Sequence, residues 1–70
     1  MNNIVFKLAT DYIELAQLLK AAGLSESGGA AKSAITGKEV RVDGEIETRR
    51  GRKIRRGQKV EYAEQTIEVQ

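Results

Sequence analysis

The run "RRGRKIRRGQKV", from Arg49 to Val60, holds six of the chain's twelve cationic side chains in its first eight residues. Five of the six are arginines (Arg49, Arg50, Arg52, Arg55 and Arg56) and the sixth is Lys53. A guanidinium presents a planar fork that bonds phosphate oxygens in pairs, where an ammonium offers a point charge. The chemistry such a run supports is the gripping of an anion. Like charges this close repel, so they need either room in water or a polyanion to lie against. Neutralising a polyanion also releases its counterions, the main source of nucleic-acid affinity. Glu45 and Glu47 can pair with one or two of the six cations but not with all. Ile54 is the one apolar residue among those eight, and it reads as an anchor that pins the cations to a fixed frame.

Bond-making chemistry lacks its usual reagents. The chain has no His and no Cys, so nucleophile–base pairs and zinc clusters cannot be assembled. Ser25, Ser27 and Ser33 are expected as caps and exposed helix positions. Glu45, Glu47, Glu61 and Glu68 alternate with apolar residues and are expected to face solvent. The glycines of "GLSESGGAAKS" lack the strand–GxxxxGK order of a phosphate loop. We expect no enzyme, no cofactor, no metal and no small-molecule substrate.

The elements that position the basic run follow from periodicity. "NNIVFKLA" alternates as a strand does. "DYIELAQLLKAAG" sets Tyr12, Leu15, Ala16, Leu19 and Ala22 on one stripe, predicting a helix capped by Thr10 or Asp11 and closed at Gly23. A second helix, capped by Ser25 or Ser27, should bury Ala31, Ala34 and Ile35 and expose Gly29, Lys32, Ser33 and Thr36. "EVRVDGEIE" then changes to a period of two, with Val40, Val42 and Ile46 inward and Asp43-Gly44 as a hairpin turn. "KVEYAEQTIEV" predicts a last hairpin, Val60 and Tyr62 facing Ile67 and Val69 across a turn near Glu64-Gln65. Strands after two helices without βαβ alternation give an α+β fold. Phe6, Tyr12 and Tyr62 all fall at positions expected to be buried. With no ring left for base stacking, backbone and shape recognition of a folded target is expected.

Seventy residues hold one domain at most, and such a chain buries only roughly 60% of its unfolded surface. Residues 32–59 carry ten cations and four anions, while the last eleven residues carry three anions and no cation. The total of +2 therefore describes no single face. No stretch approaches the ~20 apolar residues of a membrane span, and no secretory signal is visible. A cytoplasmic monomer is expected.

Residues "LLKAAGLSESGGAAKSAI" and "VRVDGEIETRRGRKIRRGQKV" together resemble the S-four RNA-binding domain, named for small-subunit ribosomal protein four. The matching pattern is a leucine-rich helix, a Ser-capped second helix, a Val-x-Val-Asp-Gly hairpin and a basic stretch ending in a Gly turn. It spans a core of about residues 12–62 in a single domain over 1–70. The resemblance implies the alpha-L RNA-binding motif, two helices packed on a small, mostly antiparallel sheet. It also implies binding of structured RNA, ribosomal or transfer. By position it makes Ser27, Gly28, Gly29 and Lys32 the helix-side contacts, with Arg41 and Arg49, Arg50, Arg52, Lys53, Arg55 and Arg56 on the other side. The glycine that such domains set just before the hairpin strand stands one place early, at Gly37, with Lys38 following. Two rival partners fit the charge alone: an acidic protein, and double-stranded DNA. Replacing Arg52, Arg55 and Arg56 together with Gln is expected to abolish most binding while leaving the melting temperature unchanged or slightly higher.

Overall fold

The computed structural model describes residues 2–70. The first and last strands lie side by side in the sheet. Strand β1 (Asn2–Phe6) runs parallel to β7 (Gln65–Val69), with Ile4 beside Ile67 and Phe6 beside Val69. Strand β7 pairs antiparallel with β6 (Lys59–Tyr62), Val60 opposite Ile67. Beyond β6 lie β3 (Arg41–Val42) and β4 (Glu45–Ile46), giving the order β1-β7-β6-β3-β4. Alternation sends Ile67, Val69, Val60 and Val42 into the core and leaves Val5, Lys59 and Arg41 outside. The last hairpin turns at Ala63-Glu64, one residue earlier than expected, so Tyr62 faces Gln65 and not Ile67.

The β3–β4 hairpin turns tightly at Asp43-Gly44, with φ of 51° and 86°, the two left-handed positions of a type I′ turn. The Asp43 carboxylate accepts from Lys59 N (2.9 Å) and Gln58 Nε2 (3.1 Å). Those bonds, the Lys59 amide first, hold its pKa below the usual carboxylate range. This turn fixes the parity of the residues after it. It sets Val42 opposite Glu45 and Arg41 opposite Ile46, and one step further the Glu47 amide donates to Val40 O at 3.0 Å. Residues that oppose one another share a face. Ile46, expected inward, is thus thrown to the outer face and is 51% exposed, while Glu47, expected in solvent, turns in with Val40 and is 6% exposed.

Helix α1 (Leu15–Ala21) begins later than its apolar stripe suggests. Residues Ile13–Glu14 form a short strand, β2, antiparallel to β5 (Lys53–Ile54), with Ile13 beside Ile54. Neither Thr10 nor Asp11 caps the helix: Glu14 is the N-cap without a side-chain bond, and the Thr10 hydroxyl donates instead to Tyr12 O. The first amides find tertiary acceptors, Leu15 N on Arg52 O (2.9 Å) and Ala16 N on Arg50 O (3.3 Å). Helix α2 (Gly28–Thr36) is capped by Ser27, whose Oγ accepts from Ala30 N at 3.1 Å. Its far end closes with Glu39 N on Ala34 O and Lys38 N on Ile35 O, the double bond pattern of a Schellman turn. The left-handed residue of that turn is Lys38 (φ 64°), not the preceding Gly37 (φ −78°). Leu15, Leu18, Leu19, Ala31, Ala34 and Ile35 join the inner sheet face in one apolar core. Among the described residues no helix is long and apolar enough to cross a membrane.

Candidate nucleic-acid interface

The basic segment is held from several directions. Ile54 is fully buried in the core, as its place among the cations suggested. The pairing of β5 with β2 fixes the backbone at Lys53 and Ile54, and the carbonyls of Arg50 and Arg52 are taken by the α1 amides. Past β5 the chain turns through Arg55–Gln58, where Arg55 N donates to Gln58 Oε1 (2.8 Å) and Gly57 adopts φ 92°. Gly57 N then donates to Val69 O, tying the turn to the last strand.

Glu47 is the centre of a second set of ties. One carboxylate oxygen accepts from Thr48 N, Arg49 N and Arg49 Nε; the other accepts from Arg49 Nη2 and, at 2.6 Å, from Arg52 Nη1. A buried carboxylate is tolerated only when paired and fully bonded. Here the side-chain bonds from Arg49, more than any other contact, lower its pKa to about 2 against the desolvation that would raise it. The same contact raises the pKa of Arg49. Arg56 is also engaged, its Nη2 donating to Leu8 O at 2.6 Å.

The six cations therefore divide. Arg49, Arg52 and Arg56 are bonded within the chain, though Arg49 remains 72% exposed. Arg50, Lys53 and Arg55 are exposed and make no ion pair among the described residues. Lys53 Nζ and Arg55 Cζ lie 5.0 and 5.8 Å from the centroid of the Tyr12 ring, within cation–π range. Tyr12, expected in the core, is 41% exposed; it precedes β2, and the helix begins only at Leu15, so its ring is not on the helical stripe.

Two adjoining recesses run from this ring to the start of α2. The first, about 470 Å³, is bordered by Thr10, Tyr12, Ile13, Glu14 and Gln17. The second, about 570 Å³, shares Ile13 and Gln17 and continues past Lys20 to Gly28 and Lys32. Gly28 and Lys32 thus border a recess that adjoins the one beside the Tyr12 ring, over which Lys53 and Arg55 lie, while Ser27 and Gly29 line neither recess. Arg41 stands apart. It projects from the outer face of the sheet, opposite Glu61 and beside Glu39 and Glu64, in an acidic neighbourhood.

This geometry is that of a known family. The family model for the S4 domain matches residues 6–70, nearly the whole chain. The chain belongs to the S4 domain family. It is also similar to the solution structure of YbcJ from E. coli, at 44% identity and a TM-score of 0.75, covering 99% of this chain and 89% of that one. That protein is described as containing an αL motif involved in RNA binding. No curated protein matches. Three residues on the connecting surface of this S4 domain escape sequence reasoning. Lys20 and Gln17 are indistinguishable in sequence from an ordinary solvated helix face. Tyr12 falls in the core by spacing because it fits the helical stripe; nothing short of the β2–β5 pairing removes it from that stripe.

Proposed function

We propose that this S4 domain, one domain over the whole chain, is a non-catalytic RNA-binding module of the cytoplasm. Acting as a monomer, it grips the phosphate backbone of a structured RNA, ribosomal or transfer. The observation that carries the reading is the set of exposed cations Arg50, Lys53 and Arg55, without ion pairs among the described residues, on a segment fastened to the fold at Ile54. Lys32, midway along α2, lines the recess that adjoins the one beside Tyr12. Family membership supports it, as does the likeness to YbcJ. In this reading Arg49, Arg52 and Arg56 shape the surface, Ser27, Gly28 and Gly29 border it, and Arg41 contributes at most to long-range attraction.

The test is fluorescence anisotropy on a labelled RNA hairpin with the variant Arg50→Gln/Lys53→Gln/Arg55→Gln. Wild type should bind with a slope of log K against log salt of roughly −3, as expected for about four neutralised phosphates. The variant should lose most affinity and most of that slope while keeping its melting temperature. Unlabelled RNA should displace the probe, whereas an acidic polypeptide or the DNA duplex of the same sequence should not. Displacement by the polypeptide would instead identify a protein partner, and undiminished binding by the variant would refute the assignment.

A further inference from the structure

We infer that Tyr12 is the floor of a nucleotide-binding site that takes one unpaired base of the bound RNA, a step that rests on the RNA-binding reading above. Of the three aromatic residues only Tyr12 is largely exposed; Phe6 and Tyr62 pack against the core. Its position is fixed on both sides in the chain. The Thr10 hydroxyl bonds its carbonyl at 2.7 Å, and the next residue, Ile13, is paired with the buried Ile54. A ring so held is a preformed platform, and stacking on it costs little conformational freedom.

The groups around it suit the rest of a nucleotide. Lys53 and Arg55 lie over the ring itself, 5.0 and 5.8 Å from its centroid, so a stacking base takes their place on the ring and leaves both cations free to bond its phosphate. The adjoining recess carries two edge-reading groups, the Gln17 amide and the Glu14 carboxylate. An amide offers donors and an acceptor, and a carboxylate accepts from an exocyclic amine. A base inside a duplex is already stacked and paired and cannot reach the ring. The occupant is therefore a base from a bulge, an internal loop or a strand end.

The experiment compares two RNA probes, a blunt duplex and the same duplex with one bulged nucleotide, against wild type, Tyr12→Ala and Tyr12→Phe. Wild type should prefer the bulged probe. Tyr12→Ala should lose about 5- to 150-fold on that probe, the range for one base-on-ring stack, with little change on the blunt duplex; Tyr12→Phe should retain the preference. The chain has two tyrosines and no tryptophan, so intrinsic tyrosine emission reports directly: the bulged probe should quench wild type and not Tyr12→Ala. Equal losses on both probes, or no loss on either, overturn the base site while leaving RNA binding intact. Wild type binding neither probe overturns both.

Discussion

Replacing Glu47 by Gln removes one charge and almost no volume, and it isolates the device that shapes the basic segment. The carboxylate is buried, accepts five hydrogen bonds and has its pKa drawn from 4.5 to about 2. A displacement of that size corresponds to at most about 3 kcal/mol of preference for the ionised form. Arg49 is mostly exposed and Arg52 partly so, so solvent screens the arginine side of the network and about 1–2 kcal/mol remains. For a domain of this size that loss should lower the melting temperature by about 4–16 °C.

The pH dependence gives the variant a second signature. Folding depresses this pKa, so the stabilisation is complete above the ordinary value of 4.5 and is lost as pH falls from there towards about 2. Urea unfolding followed by circular dichroism, from neutral pH to about pH 3, should show the gap between wild type and Glu47→Gln narrow through that window. Two results would refute the reasoning: no gap at neutral pH, or a gap that stays constant as the wild-type carboxylate protonates.

Two further substitutions probe the frame. Lys38→Gly places glycine at the left-handed position of the α2 terminus, where Lys38 now holds φ 64°; it should stabilise the fold by about 1 kcal/mol in thermal unfolding. Gly37 is no substitute site, since an added Cβ would meet Ser33 O at 3.0 Å. Ile54→Ala should cost about 2–5 kcal/mol, against about 0.5–1.5 for Ile54→Val, and should weaken RNA binding in proportion to the unfolding and fraying seen by hydrogen exchange at β2 and β5.

What the sequence disclosed was local. Helix α2 with its Ser27 cap, the Asp43-Gly44 hairpin and the terminal strands are each written within about ten residues, where period and turn chemistry act directly. Strands β2 and β5 are two residues each and lie far apart in the chain. No periodicity reports such a pairing, and with it went the true start of α1 and the exposure of Tyr12. The burial of Glu47 differs, because it derives from the turn already recognised: a two-residue loop puts residue 47 opposite Val40. The expectation that Arg52, Arg55 and Arg56 could be removed together at no cost in stability came from counting charges. Arg52 closes the Glu47 network and Arg56 caps Leu8 O, so that substitution confounds fold with binding. Arg50, Lys53 and Arg55 form the cleaner set.

The division of the cations also decides how binding should respond to salt. If all six reached phosphates together with Lys32, the slope of log K against log salt would lie between about −5 and −6, taking about 0.7–0.9 per contact, against about −3 for Arg50, Lys53, Arg55 and Lys32 alone. Three of them are already bonded to Glu47 or Leu8, and breaking a buried charge-assisted bond to gain a solvent-screened phosphate contact returns little. The chain thus uses half its arginine-rich cluster to hold the other half in place. A slope near −3 fits this arrangement. A slope between about −5 and −6 would mean that the Glu47 network opens on contact with RNA, and in that case Glu47→Gln should bind more tightly than wild type.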